Sequence, residues 1–298
     1  MVRSSRTPAA FDPARPWAPY APPIHPASTQ IPAPVEEFDL GPDVLNIALL
    51  GVDRVEPGAA YRTDTIMILS LNRVRKTAAL ISIPRDLFVY IPAYGMQRIN
   101  SAFSKGREIQ YPGGGFPLFQ DTIRYNFGLQ VDRYVMMDFQ GFKDMVNALD
   151  GIDVYVSREL TDKRLGYNTF TLPAGDAHLD GATALWYSRS RYTTSDFDRQ
   201  RRQQEVLQAI AQRLLSMNAL GNIPGIFQTF AQYVESDLTL DDLTPYLELA
   251  FTLSPSSIER YQITAPKGCR SWTTPDGMMV LLPNFDFIHE MLEGALSP

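Results

Sequence analysis

The chain has 298 residues and a net charge of −6, from 27 Lys and Arg against 33 Asp and Glu. With 45% hydrophobic and 20% charged residues it can bury a core, which excludes a disordered or collagen-like chain, and its length holds one large domain or two small ones. The acidic balance argues against general nucleic-acid binding, and the single cysteine, Cys269, excludes an internal disulfide framework or a thiolate zinc cluster.

Residues 1–42 hold ten of the 23 prolines, mixed with Ala and Ser and few large aliphatics. They read as an extended, disordered tether outside the fold. Arg3 and Arg6 are followed by prolines instead of an apolar run, so no signal peptide is predicted. No stretch approaches the roughly 18 apolar residues that cross a bilayer. The folded part is expected to be 43–298, with the informative motifs in 44–215 and an extension in 216–298.

From Val44 the pattern changes. Val44–Leu50, Thr65–Leu71 and Thr77–Ile83 are β-rich runs separated by Gly, Asn, Pro and charge, so they read as neighbouring strands of one buried sheet. They follow one another too closely for helical crossovers, which predicts antiparallel pairs. Phe116, Phe119, Ile123 and Phe127 recur at helical spacing, as do Phe142, Met145, Val146 and Leu149, and these two amphipathic helices bracket a strand at Val131–Met137. Asp150-Gly151 closes the second helix before a strand at Ile152–Val156. Further helices are predicted near 179–188 and 199–215, then two or three more with a strand at Tyr261–Thr264. The fold class is α/β, a three-layer α/β/α sandwich with a mixed central sheet, and active sites of such sheets gather at strand ends.

Chemistry-bearing residues cluster at those ends. Gly51-Val52-Asp53-Arg54 ends one strand and Arg62-Thr63-Asp64-Thr65 starts the next; the two carboxylates could share a hard cation, or each could serve as a turn or cap residue. Ser82-Ile83-Pro84-Arg85-Asp86 puts an arginine at the same edge, either for a ligand or in a structural ion pair. Five arginines fall between Arg189 and Arg202, where planar guanidinium forks suit phosphate oxygens, although a solvated, salt-bridged helix entrance has the same composition. Arg199 and Arg202, three apart, share a helical face. Together these residues are the kit for a Mg²⁺-assisted pyrophosphate reaction in which a carboxylate accepts a hydroxyl proton. Gly113-Gly114-Gly115 lacks a following Lys-Ser/Thr, so it is a helix lead-in and not a nucleotide loop. His25, His178 and His289 are scattered, and Cys269 reads as a packed residue.

The ordered blocks LLGVDR (49–54), RTDTIM (62–67), SIPRD (82–86), RINSA (98–102), YVMMDFQGF (134–142), LDGATAL (179–185), RSRY (189–192) and DRQRRQQ (198–204) closely resemble the LytR-CpsA-Psr family. The resemblance implies a bacterial cell-envelope phosphotransferase at the extracytoplasmic membrane face. Such an enzyme moves a glycan phosphate from a polyprenyl-pyrophosphate carrier to a hydroxyl of peptidoglycan or another wall glycan. It implies Mg²⁺, with Mn²⁺ as substitute, at Asp53 and Asp64, catalytic roles for Asp64, Asp53 and Arg85, and substrate binding by Arg62, Arg85, Arg189, Arg191, Arg199, Arg202 and Gln203. It also implies a buried polyprenyl tail, with 116–127 and 139–149 as candidate walls, and no nucleic-acid partner. Members usually carry an N-terminal membrane helix; here the expectation is an anchor upstream, or membrane contact through the lipid substrate alone. The same clamp would serve a polyprenyl-pyrophosphate phosphohydrolase or a non-catalytic lipid-linked glycan binding protein.

Overall fold

The computed structural model describes residues 31–53, 62–164, 166–190, 196–216, 223–254 and 257–296. In chain order the strands and helices are β1 (Val44–Val52), β2 (Thr63–Asn72), β3 (Thr77–Ser82), β4 (Phe88–Ile91), β5 (Gly95–Arg98), α1 (Ala102–Glu108), α2 (Gly115–Phe127), β6 (Arg133–Asp138), α3 (Phe139–Ala148) and β7 (Ile152–Val156). They continue with β8 (Leu160–Arg164), β9 (Tyr167–Leu172), β10 (Gly175–Leu179), α4 (Gly181–Arg189), α5 (Asp196–Ser216), α6 (Ile223–Ala231), β11 (Glu235–Ser236), α7 (Leu240–Leu243), α8 (Leu247–Thr252), β12 (Glu259–Gln262), β13 (Cys269–Thr273), β14 (Met279–Pro283) and α9 (Phe285–Leu296).

The main sheet is six-stranded, in the order β11-β6-β1-β2-β3-β12. As the short connections require, β1, β2 and β3 form an antiparallel meander, while β6 runs parallel to β1 and β12 parallel to β3. The sheet is therefore mixed, and helices cover both faces. Successive strand residues point to opposite sides: Ala48, Leu50, Val52, Ile66, Ile68 and Met136 pack with α1, α2 and α9 in the largest core. Leu49, Gly51, Met67, Val135 and Met137 face α3, α4 and α5. At the far end of that second face Leu45, Ile47, Tyr246 and Leu249 form a smaller cluster under α7 and α8. A third core joins α3, α4 and α5 to the outlying pairs β7/β10 and β8/β9 through Val146, Ile152, Trp186, Tyr187 and Val206.

One expectation changes. Residues 31–42 lie within the predicted tether, yet they form an ordered strap: Val35 N donates to Tyr125 O (3.0 Å), Phe38 N donates to Gly128 O (2.9 Å), and Phe38 stacks on His289. Apolar Phe38 and Leu40 pack on the main core, which explains why this stretch docks although its prolines prevent regular structure. The earlier part of the tether, 1–30, lies outside the described residues. The segment after 216, expected as a helical and strand extension of the same domain, supplies both edge strands, β11 and β12, and helix α9 of the main core. No helix among the described residues is long and apolar enough to cross a membrane.

Candidate active site

Topology brings the charged blocks to one edge of the sheet. Strands β1, β3, β6 and β12 all end there, and β2, antiparallel to β1, begins there. Val52 pairs with Thr63 on one side and with Asp138 on the other. The next residues along the chain, Asp53 and Asp64, therefore occupy the same rim as Asp138. Asp138 caps α3, its carboxylate accepting from Gly141 N (2.8 Å).

Arg85 follows β3 onto this rim, where its Nη1 lies 2.8 Å from Asp64 Oδ1. Asp86 holds the other side of the guanidinium, with Oδ2 3.4 Å from Arg85 Nε, and Arg98 in turn stands 3.5 Å from Asp86 Oδ1. Burial disfavours the Arg85 cation, but Asp64 and Asp86 outweigh it and hold its pKa above the ordinary arginine value. The 98–102 block is the brace for this corner. Asn100 N donates to Arg85 O (3.2 Å), and Thr63 Oγ1 donates to Asn100 O (3.1 Å), tying the start of β2 to the arginine loop.

Beside this corner, between the sheet and α3, α4 and α5, lies a cavity of about 200 Å³. Its depth is apolar: Leu49, Met67, Val135, Met137, Phe142, Met145, Leu207 and Ile210. Its mouth is polar: Asp64, Thr65, Asp138, Ser188, Arg189, Arg199 and Gln203. Gly51 makes room here, because a Cβ on it would stand 3.0 Å from Thr65 Cβ and 3.1 Å from Thr65 Oγ1. The spared hydroxyl accepts from Gln203 Nε2 (3.0 Å), which fixes the α5 amide at the mouth.

The helices supply the remaining charge. Arg189, the last residue of α4, is exposed and lies with Cζ 3.9 Å above the Phe139 ring. Arg199 is buried in the first turns of α5 and pairs with Asp196 (2.9 Å). Along α5, positions 199, 203, 206, 207 and 210 share the stripe that faces the cavity. Arg202 lies off that stripe. Its guanidinium donates to the carbonyls of Tyr187 (2.9 Å) and Ser190, so it splices α4 to α5 and does not line the cavity as Arg199 does.

The structure thus gathers Asp64, Arg189, Arg199 and Gln203 at the mouth, with Arg85 alongside. Arg62 and Asp53 stand exposed on the same rim, while Arg191 lies outside the described residues. Of the two candidate walls, 139–149 lines the cavity through Phe139, Phe142 and Met145. The 116–127 helix packs into the closed core on the opposite face. Asp138 was missed by sequence reasoning, although an Asp between a β-rich run and a helical repeat is an N-cap signal that locates a strand end. Cys269 is buried, and that burial pushes its thiol up to about 11, which disfavours the reactive thiolate.

Asp53 and Asp64 offer hard oxygen donors at adjacent strand ends, a set that fits a Mg²⁺ or Mn²⁺ ion completed by phosphate oxygens and water. Among the described residues no three His, Cys or carboxylate side chains converge, so the protein would contribute only part of the coordination shell.

Comparison with known proteins bears on this site. The polyisoprenyl-teichoic acid–peptidoglycan teichoic acid transferase TagU of Enterococcus faecalis is 36% identical over 206 residues, covering 66% of this chain and 63% of its own length. The transferase of the same designation from Bacillus subtilis, TagT, is 32% identical over 237 residues, covering 77% of this chain and 70% of its own. The chain thus spans just under two thirds of the first relative. The solved structure of TagT bound to LIIa-WTA matches with a TM-score of 0.68 at 29% identity, covering 92% of this chain and 100% of that one. The LytR_cpsA_psr family model matches residues 27–292, from the strap into the last helix and well beyond the 44–215 blocks that carry the sequence resemblance. The chain belongs to the LytR_cpsA_psr family.

Proposed function

We propose that this protein is a phosphotransferase that moves a glycan phosphate from a polyprenyl-pyrophosphate carrier to a hydroxyl of peptidoglycan or another wall glycan, at the extracytoplasmic face of a bacterial membrane. One observation carries the reading: an apolar slot of about 200 Å³ ends in a mouth that combines Asp64, Arg189, Arg199 and Gln203. An apolar interior with a charged mouth suits a molecule that is a hydrocarbon chain at one end and a pyrophosphate at the other. The names of TagU and TagT, and the ligand in the TagT structure, support the same class of donor and acceptor.

In this reading the lipid tail enters between the sheet and α3–α5. Arg189, Arg199, Arg85 and Arg62 neutralise the phosphates at the mouth, and the Gln203 amide orients them; Arg191 would add to the clamp. The acceptor oxygen bonds to the glycan-bearing phosphorus while that phosphorus loses its bond to the bridging oxygen, and lipid monophosphate leaves. A carboxylate at the rim takes the acceptor's proton, with Asp64 the first candidate and Asp53 the second. Asp53 and Asp64 would hold Mg²⁺ or Mn²⁺, which supplies charge neutralisation for the leaving phosphate. Arg85 is already oriented by Asp64 and Asp86, so little reorganisation is needed when negative charge develops.

The test is incubation of the chain with a polyprenyl-pyrophosphoryl glycan, with and without a peptidoglycan acceptor and Mg²⁺, followed by mass analysis. The expected result is an acceptor-dependent phosphodiester that is lost with EDTA and restored by Mg²⁺ or Mn²⁺. Acceptor-independent release of phosphate or phosphoglycan would make the protein a hydrolase. Tight donor binding without turnover across several acceptors would make it a carrier.

A further inference from the structure

A second cavity, of about 340 Å³, lies at the same sheet edge and is lined by Val52, Met136, Asp138, Gln232, Tyr233, Val234 and Glu235. Val52 and Met136 alternate along their strands with Gly51 and Met137, which line the first cavity. Adjacent strand residues point to opposite faces, so the two cavities open on opposite sides of the sheet. Asp138, at the end of β6, lines both.

The packing that creates the second cavity is specific. Gly141, whose N–H is capped by Asp138, allows the chain after α6 to approach α3: a Cβ on Gly141 would stand 2.4 Å from Tyr233 O. β11 then pairs with β6 through Glu235 and Met136. Glu235 is held by Arg107 and accepts from the Tyr134 hydroxyl (3.3 Å). The lining therefore offers two carboxylates, a side-chain amide and an aromatic residue, and Arg107, which pairs with Glu235, is not among its lining residues. Carboxylate and amide oxygens of this kind accept from vicinal hydroxyls, whereas the carboxylates repel a phosphate.

We propose that this second cavity is the acceptor subsite, binding a hydroxyl-rich saccharide and presenting one hydroxyl past Asp138 to the phosphorus. The inference rests on the transferase reading and deepens it. Phosphoryl transfer places the attacking and leaving oxygens roughly in line. The leaving group is the lipid phosphate, whose tail occupies the first face, so the nucleophile must arrive from the other side, where the second cavity lies. The donor's own sugar carries the same hydroxyl chemistry, but its phosphate is disfavoured by Asp138 and Glu235.

The test uses Gln232→Trp, which fills the cavity from its exposed rim, with Gln232→Ala as the milder variant. Chitotetraose serves as a neutral saccharide probe by saturation-transfer NMR, and donor binding and steady-state transfer to a peptidoglycan fragment are measured alongside. The expected result is saturable chitotetraose binding to the unaltered chain that is lost in Gln232→Trp. The acceptor KM should rise at least about tenfold, with donor Kd changed less than about twofold. Gln232→Ala should give an intermediate acceptor KM. Weakened donor binding in Gln232→Trp would reassign the cavity to the donor sugar and overturn the proposal. Absence of chitotetraose binding to the unaltered chain, or binding indifferent to Gln232→Trp, would overturn it too. Saccharide binding that depends on Gln232, in a chain that transfers nothing, would sink the transferase reading while leaving the saccharide site standing.

Discussion

On the α1, α2 and α9 side of the sheet, Phe103, Phe119 and Ile123 are at most 1% exposed and fill the space above Leu50, Ile66 and Ile68. On the α3–α5 side, Leu49, Met67, Val135 and Met137 look across an open volume toward Phe142, Met145, Leu207 and Ile210. The residue types are alike; the degree of filling differs. At roughly 24 cal/mol per Å³ of cavity, a void of this size forgoes on the order of a few kcal/mol. Apart from the cavity at its β11 edge, the first face is closed tightly, whereas the second keeps a gap at its centre, and in the proposed reading an apolar ligand restores the missing contacts there.

The largest expected effect breaks the closed face. Phe119→Ala should cost about 3–5 kcal/mol in chemical denaturation, because the helix and sheet around it cannot collapse into the space left. A loss below about 1 kcal/mol would mean that this face is not close-packed. At the mouth of the open face, Asp64→Asn should lower kcat about 10²-fold or more while leaving denaturation midpoints nearly unchanged, since its pair with Arg85 is partly exposed. Donor binding retained with turnover lost would place Asp64 in the chemistry; loss of both would make it a binding residue.

A change within the open face sharpens the contrast. Leu207→Trp should fill the cavity, weaken donor binding roughly tenfold and leave stability unchanged or up to about 1 kcal/mol higher. The same kind of enlargement on the closed face, Ile123→Trp, should instead destabilise by about 1–3 kcal/mol through overpacking. Equal stability losses in the two variants would remove the distinction between the faces.

The smallest effect concerns the sheet edge, beside β11. Burial pushes the Asp237 carboxyl up to about 6, partly opposed by the Tyr134 N–H, which donates to it (2.8 Å), and by Arg133. A carboxyl raised above its unfolded value near 3.9 means that the folded state holds the proton more tightly. Its contribution is therefore full below about pH 4 and is lost as pH rises through about 6. Asp237→Asn mimics the protonated form and keeps the acceptor oxygen, so its Tm should exceed that of the unaltered chain by about 2–4 °C at pH 7.5, with no gain at pH 4. A gain that persists at pH 4 would trace to something other than this proton.

Much of this arrangement is legible in residue order. The β-rich runs at 44–50, 65–71 and 77–83 become β1, β2 and β3, and the short connections force their antiparallel pairing. Less was legible where apolar pattern is weak or shared. The β4/β5, β8/β9 and β13/β14 hairpins were not anticipated, because their strands are four to six residues long and several carry mostly polar side chains. The strap at 31–42 reads as tether because proline content dominates its composition, while two apolar side chains decide its docking.

Residue types and their spacing are enough to say that arginines and aspartates converge at strand ends, since a β-run followed by a charged block has nowhere else to put it. They do not say which of two equally apolar helices will border a void. The α2 and α3 stripes have the same period, and α2 enters β6 from one side of the sheet while α3 leaves it on the other. Whether the space between helix and strand is then filled depends on the summed side-chain volumes across that particular contact. The same limit separates Arg199 from Arg202. Three positions of helix turn one guanidinium toward the cavity and the other onto the carbonyls of α4, and only the placement of α4 beside α5 tells them apart.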